Sequence, residues 1–218
     1  MNWLRERLLP IRAALLSKVC DRFRDKPLNK PPCVFDVLLL ALSWGNLGYA
    51  AGLSYLRHVG GYAVRSEGVI LECGSGATTL LIGALTGKAE CQFIVLEHNK
   101  TWYDYLCKIL DHLEFSHVTL LHAPLVDYEG YRWYRIPHNL VTDQISLVIC
   151  DGPPSSNPGG RYGLLPTMLE YLSEDCVILM DDTHRRAERN IIDAWTECRC
   201  LKANRIGRLG TYAEVVFC

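Results

Sequence analysis

Val69-Ile-Leu-Glu-Cys-Gly-Ser-Gly-Ala-Thr-Thr79 joins a short apolar run to two closely spaced glycines and a polar tail. The apolar run, residues 69–73, predicts a buried β-strand. Gly74 and Gly76 predict a turn whose backbone can approach a ligand closely, because neither residue carries a Cβ atom. The residues after the turn predict the start of a helix, whose free amide groups and positive dipole end would face that ligand. Glu72 ends the strand, where its carboxylate could meet a cation or a row of hydroxyls.

Two kinds of nucleotide site begin with such a turn. A dinucleotide fingerprint needs a third glycine three residues after the second, and that position is Thr79. The pattern Glu-x-Gly-x-Gly instead resembles motif I of class I S-adenosylmethionine (SAM) dependent methyltransferases, whose glycines lie under the methionine part of the cofactor. That family often has a third glycine where this chain has Thr78. The resemblance implies a SAM-binding set of Glu72, Gly74, Ser75, Gly76, Thr78 and Thr79.

Composition excludes several classes of protein. The 218 residues are 49% hydrophobic and 22% charged, which fits a globular chain, and the net charge of -1 predicts no nucleic-acid partner. The ten cysteines form no Cys-x-x-Cys pair, which favours buried free thiols in a reducing compartment over zinc sites. The charged start lacks a cleavable apolar core, so we expect no secretory signal and a cytoplasmic protein.

The first part of the chain, residues 1–64, predicts a helical extension packed on a SAM-binding domain of residues 65–218. Residues 2–24 place apolar residues at helical spacing opposite a basic face. This predicts a helix that packs on the domain or on a partner subunit; peripheral contact with a membrane is the alternative. An oligomer of identical chains also stays open.

Residues 37–56 are uncharged and long enough to span a bilayer. Gly45, Asn46 and Gly48 in the middle of this stretch favour two short helices joined by a turn. A span would also leave the Lys and Arg of residues 1–30 outside the cytosol, against the positive-inside tendency. We therefore expect two helices that cover the core.

From Gly68 onward, predicted strands and helices alternate. Five β–α units followed by a hairpin predict an α/β fold: a doubly wound, mostly parallel, seven-stranded sheet with an antiparallel edge. We predict strands at 69–73, 92–97, 117–122, 145–151, 176–181, 198–205 and 212–217, helices at 77–86, 100–113, 162–172 and 185–195, and an irregular segment at 123–140. This topology agrees with the Rossmann-like class I methyltransferase fold, and the resemblance covers about residues 65–218.

Acidic residues end four of the predicted strands, at the edge where open α/β sheets bind ligands. Glu97 lies 21 residues after Gly76, where an acid can accept hydrogen bonds from both ribose hydroxyls. The resemblance implies this role for Glu97 and places His98, His122 and Ala123 around the adenosine. It also places Asp151 at the boundary between cofactor and acceptor.

The remaining strand-end acids predict a metal site. Asp151, Asp181 and Asp182 could hold Mg²⁺, which lowers the pKa of a bound hydroxyl. The placement resembles catechol O-methyltransferases and the magnesium-dependent sugar O-methyltransferases, although Pro153 stands where the sugar enzymes have a catalytic acid. Alternatively, Asp182 caps the next helix and Asp181 binds backbone.

The proton acceptor has several candidates. The imidazole of His184 can act as a general base near neutral pH, and Asp151 or Asp182 is the base in a mechanism without metal. Arg161 either binds a carboxylate or phosphate of the substrate or pairs with a strand-end acid. The aromatic stretch 128–134 either stacks on a sugar ring or fills the core.

We therefore expect a SAM-dependent methyltransferase that acts on a hydroxyl of a sugar, glycan or other small molecule. The sequence Asp-Gly-Pro-Pro at 151–154 departs from the Asn/Asp-Pro-Pro-aromatic motif of amino-group methyltransferases. One alternative is a non-catalytic SAM-binding protein that engages another subunit or a membrane through its N-terminal helices. An NAD-type oxidoreductase is disfavoured by Thr79 and by the acids where a pyrophosphate would lie.

Overall fold

A computed structural model describes residues 3–25, 30–45, 51–88, 91–137, 140, 143–207 and 211–218, with side chains from residue 13 onward. The helices are α1 (Trp3–Arg24), α2 (Val34–Trp44), α3 (Leu53–Ala63), α4 (Ala77–Thr86), α5 (Lys100–His112), α6 (Leu164–Met168) and α7 (Arg186–Cys198). The strands are β1 (Val69–Cys73), β2 (Phe93–Glu97), β3 (Val118–His122), β4 (Leu125–Tyr128), β5 (Tyr131–Tyr134), β6 (Ile145–Cys150), β7 (Leu172–Asp181), β8 (Leu201–Ile206) and β9 (Tyr212–Phe217).

Seven of these strands form one sheet in the order β3-β2-β1-β6-β7-β9-β8. The pairs from β3 to β7 are parallel, and β9 joins β7 antiparallel. Strands β1, β2 and most of β6 are buried on both faces, which is why their sequences are mostly apolar. The predicted doubly wound sheet with an antiparallel edge is confirmed, and its topology reverses between β1 and β6.

Two segments differ from the prediction. The segment 123–140, predicted irregular, contains the hairpin β4–β5, which turns at Gly130 with a φ of 86°. The predicted helix 162–172 is shorter, because α6 passes into a 3₁₀ turn at Leu169–Tyr171 and β7 already begins at Leu172. All ten cysteine thiols are free, and those of Cys73, Cys150 and Cys176 are buried in strands. The expectation of buried thiols holds only in part, because Cys33, Cys198, Cys200 and Cys218 are exposed.

The N-terminal helices pack on one face of the sheet and share its core. Leu16 and Phe23 of α1 and Leu56 of α3 belong to the same apolar cluster as Ile70 of β1 and Leu80 of α4. The Tyr55 hydroxyl of α3 donates to the Leu179 carbonyl of β7 at 3.0 Å. The extension is therefore packed on the sheet, whereas the division at residues 64 and 65 stays a prediction.

The uncharged stretch 37–56 is divided between two helices, as predicted. Helix α2 ends at Trp44, and Gly45 follows in the left-handed region with a φ of 69°. Asn46 and Gly48 lie outside the described residues, and α3 begins at Leu53. Among the described residues, no helix combines the length and apolar character that crossing a bilayer requires.

Candidate active site

Two turns cross at the carboxyl edge of the sheet, one after β1 and one after β6. The Cys73 carbonyl accepts hydrogen bonds from the amides of Asp151 at 3.1 Å and Gly152 at 2.6 Å. Gly74 has a φ of 87°, and a Cβ atom added there would lie 2.9 Å from Gly152 N. Position 74 therefore requires glycine, because its φ is positive and because a Cβ atom would collide with the backbone of Gly152.

The second glycine of the motif faces open space. A Cβ atom on Gly76 would have no atom within 4 Å. The Gly76 amide donates to Thr79 Oγ1 at 2.9 Å, and α4 begins at the next residue. The first turn of α4 therefore borders a space at the strand edge, where its amides and positive dipole end can act on a ligand.

Glu72 lies behind this turn and has no exposed surface. Its two carboxylate oxygens accept hydrogen bonds from the hydroxyls of Thr78 and Thr79. Burial raises the pKa of Glu72 to about 8, although the two threonine hydroxyls oppose the shift. These contacts give Glu72, Thr78 and Thr79 a structural function in fixing the start of α4, and their predicted contact with the cofactor stays a prediction.

The raised pKa of Glu72 predicts how stability depends on pH. An acid whose pKa is higher in the folded state contributes stability at low pH and loses it as the pH rises, here between about pH 4.5 and pH 8. The slope from one such group reaches at most about 1.4 kcal/mol per pH unit. Glu72→Gln is expected to remove this slope, so that the variant exceeds the wild type in free energy of unfolding at about pH 8 but not at about pH 4.

Urea denaturation across that pH range measures the effect, and the exposed Glu174→Gln, which leaves the slope unchanged, is the matched control. A Glu72→Gln variant less stable than the wild type at about pH 8 would show that the charged carboxylate stabilises the turn.

Glu97 ends β2 beside the same turn. Its carboxylate accepts hydrogen bonds from Ser75 Oγ at 2.6 Å and the Asn99 amide at 2.7 Å, and His98 Nδ1 lies 3.3 Å away. Burial alone would raise the pKa of Glu97, but the contacts with His98, Ser75 and Asn99 outweigh it and lower the pKa. The carboxylate therefore stays charged and is held in one orientation.

Residues at the end of β3 complete this side of the site. The Ala123 amide donates to the Glu97 carbonyl at 2.8 Å, and His122 Nε2 lies 3.2 Å from the His98 carbonyl. Trp102 of α5 fixes the glycine turn from the other side, because its indole donates to the Ser75 carbonyl at 3.0 Å. The structure thus gathers the predicted adenosine residues around Glu97.

An arginine lies at the centre of the remaining acids. Arg161 is 2% exposed and donates to the carbonyls of Asp181 and Asp151, both at 2.6 Å. Its Nη2 also lies 3.3 Å from Asp151 Oδ1 and 3.0 Å from Asp182 Oδ2. Burial alone would lower the pKa of Arg161, but Asp151 and the other negative groups raise it, so the guanidinium is a permanent cation.

Two of the acids around this cation, Asp151 and Asp181, have raised pKa values. Burial, opposed by Arg161, raises the pKa of Asp151 to about 7. Burial likewise raises the pKa of Asp181 to about 6, although the Asp182 amide donates to its Oδ1 at 2.8 Å. Asp182 adopts a φ of 63°, a strained conformation for a residue with a side chain. Strain and perturbed carboxylates in one place are typical of a functional site.

Solved structures with a similar fold exist. The SAH-bound methyltransferase PaMTH1 of Podospora anserina aligns with 100% of this chain and 97% of its own, with a TM-score of 0.63 and 13% identity. The chain has the class I methyltransferase fold. An O-methyltransferase from Bacillus cereus in complex with SAH aligns with 84% of this chain and 90% of its own, with a TM-score of 0.58 and 12% identity. No family model and no curated protein matches the sequence.

The described residues of this chain do not form the predicted magnesium site. Within the described ranges, no three His, Cys, Asp or Glu side chains form a group that could hold a metal ion. The donor set of Asp151, Asp181 and Asp182 does not fit Mg²⁺, because the Arg161 guanidinium already lies between Asp151 and Asp182. Of the two alternatives for Arg161, pairing with strand-end acids is the one observed.

Two further residues at this edge of the sheet differ in their surroundings. The predicted base His184 is exposed in the segment before α7. Tyr134 of the hairpin β4–β5 is fully buried, and a Cβ atom on Gly152 would lie 2.6 Å from its hydroxyl. Trp133 is also fully buried, so these two aromatics fill the core. The sequence pattern of 128–134 does not distinguish Tyr134 from the other aromatic residues of this stretch.

Proposed function

We propose that the protein is a SAM-dependent methyltransferase that methylates a hydroxyl of a sugar, glycan or other small molecule. The observation that carries the proposal is the open space at Gly76, which lies between the first turn of α4 and the oriented carboxylate of Glu97. A methionine group fits beside a backbone without a Cβ atom, and a fixed carboxylate suits the two hydroxyls of a ribose. SAH-bound proteins of the same fold support this assignment.

The chemistry requires positioning and the removal of a proton. SAM supplies a methyl group on a sulfonium, which is transferred in line to a nucleophilic oxygen. The residues of this chain hold the donor at the glycine turn and the acceptor beside Asp151, so that the two meet in near-attack geometry. The contact between the turns at Gly74 and Gly152 fixes the distance between these two halves.

Asp151 is the stronger candidate for the general base. Its raised pKa of about 7 is matched to proton transfer near neutral pH. It also follows directly from β6, next to the glycine turn. His184 remains the second candidate, because it is exposed and follows Asp182 by two residues after the end of β7. A hydroxyl acceptor is favoured because a protein with this fold is an O-methyltransferase.

Calorimetric titration with S-adenosylhomocysteine tests the cofactor, with NAD as the comparison ligand. Micromolar binding of S-adenosylhomocysteine is expected, and Glu97→Gln should weaken it about 100-fold, since two hydrogen bonds to a charged group are lost. Asp104→Asn, at an exposed position on α5, is the control. Binding of NAD in preference to S-adenosylhomocysteine would overturn the proposal.

Transfer is tested separately with methyl-labelled SAM and panels of catechol, sugar and glycan acceptors, beside amine acceptors. Label in hydroxyl acceptors supports the proposed reaction. Cofactor binding with label only in amines would show that the acceptor is an amine and not a hydroxyl. Cofactor binding without transfer to any acceptor would favour the non-catalytic SAM-binding protein.

A further inference from the structure

Helix α2 has an apolar face that is largely exposed among the described residues; Arg22 contacts it, with its guanidinium 5.8 Å from the centre of the Phe35 ring. Val37, Leu40, Ala41 and Trp44 of α2 are buried against the core. On the other side, Phe35, Leu38 and Leu42 have helical spacing and are 59%, 36% and 56% exposed. The helix is thus apolar on both sides, and among the described residues the outer side is the more exposed one.

This face continues onto neighbouring residues. Val34 at the start of α2 is 53% exposed and Leu53 at the start of α3 is 37% exposed. We call Val34, Phe35, Leu38, Leu42 and Leu53 the α2–α3 surface. They are five of the six large apolar side chains that are exposed within the described part of the chain, the sixth being Leu15. Such a concentration marks an interaction site, whereas singly scattered apolar residues do not.

Basic side chains border the α2–α3 surface. A cleft of about 490 Å³ is lined by Val34 and Leu53 together with Arg57, His58 and Arg65. Both arginines are exposed. The cleft therefore combines apolar walls with positive charge. Proteins that bind the headgroup region of an anionic bilayer have this combination.

The segment that carries the α2–α3 surface is also positively charged. Residues 30–65 contain Lys30, Arg57 and Arg65 but only one acid, Asp36. Asp36 is 1% exposed and pairs with Arg22 at 2.8 Å, so it contributes no exposed negative charge. Residues 1–65 have ten Lys and Arg against four Asp and Glu, a formal charge of +6 in a chain whose total is -1.

We propose that the α2–α3 surface docks on an anionic lipid bilayer. The apolar side chains enter the headgroup boundary, while Lys30, Arg57 and Arg65 contact lipid phosphates. A second copy of the chain is the weaker occupant, because a symmetric contact would bring identical positive surfaces together. The contact is peripheral and differs from the membrane alternative of the sequence analysis, which used residues 2–24.

Vesicle flotation of the full chain tests the proposal, with phosphatidylcholine alone compared with phosphatidylcholine containing phosphatidylglycerol. Binding is expected on the anionic vesicles and should weaken as salt is added. Arg57→Glu/Arg65→Glu is expected to lower the partition coefficient by roughly 30-fold or more. Phe35→Ser/Leu42→Ser is expected to lower it by roughly tenfold or more, since less apolar area is buried.

Arg199→Glu/Lys202→Glu is the matched control, because it changes the net charge equally at exposed positions near the C-terminal hairpin. It should bind like the wild type, and melting curves establish that all variants are folded. Equal losses in the control and in Arg57→Glu/Arg65→Glu would overturn the proposal. The absence of vesicle binding by the wild type would also overturn the proposal. If light scattering then showed a dimer that Phe35→Ser/Leu42→Ser dissociates, the surface would be assigned to a second copy of the chain.

Discussion

Gly76→Ala is expected to fold like the wild type and to bind S-adenosylhomocysteine about 100-fold more weakly. The backbone at Gly76 is extended, with a φ of 175°, and an added methyl group meets no atom within 4 Å. The loss of stability should therefore stay below about 1 kcal/mol, the usual scale for a change at a helix start. The methyl group would instead occupy the space proposed for the methionine part of the cofactor, and overpacking of this kind costs about 1–3 kcal/mol.

Gly74→Ala is the matched comparison, two residues away in the same turn. Its methyl group would lie 2.9 Å from Gly152 N, at a φ of 87°. The left-handed conformation alone costs about 1–2 kcal/mol, so Gly74→Ala should destabilise the fold strongly. Thermal melting and calorimetric titration of the two variants separate the effects. Wild-type affinity in Gly76→Ala would show that the cofactor does not lie at this turn.

Arg161→Met is expected to lower the free energy of unfolding by about 3–5 kcal/mol, since it removes a buried cation from two carbonyls and from the half-buried carboxylates of Asp151 and Asp182. The loss should be larger at about pH 8 than at about pH 5. Without Arg161, which lowers the pKa of Asp151 and of Asp181, these pKa values rise further. Folding then favours the protonated acids, and the stability they contribute is lost as the pH rises.

Arg185→Met is the control for this variant. Arg185 lies 3.0 Å from the same Asp182 oxygen but is 49% exposed, so its removal should cost less than about 1 kcal/mol. Urea denaturation compares the two variants. Equal costs would contradict a central role for Arg161. In active preparations, the acid limb of the kcat/KM profile should lie near pH 7 in the wild type and move upward in Arg161→Met if Asp151 is the base.

The strands and helices around the glycine turn could be predicted because their local signals agree. Strand β1 and helix α4 have the predicted bounds, since a continuous apolar run, two glycines and a helix start follow one another without ambiguity. The hairpin β4–β5 was missed because its strands are only four residues long, and its aromatic residues carry no clear alternation.

The chemistry of the site was less accessible to sequence reasoning. The acids at strand ends predicted a cation, and the cation is Arg161, ten residues beyond Asp151 in a loop with no periodic pattern. The buried Glu188 of α7, which accepts a hydrogen bond from Ser155, was not considered. Such contacts join loops that are far apart in the chain. They depend on the fold, so no local sequence pattern predicts them.

The crossing of Gly74 and Gly152 also limits how this protein can be redesigned or can diverge. Each glycine fills the space that a side chain on the other would need. A larger residue at either position would push apart the two turns proposed to hold donor and acceptor, so neither position can vary by itself. New acceptor preferences are therefore expected to arise in the hairpin β4–β5 and in the loop carrying Arg161, where changes leave the donor turn in place.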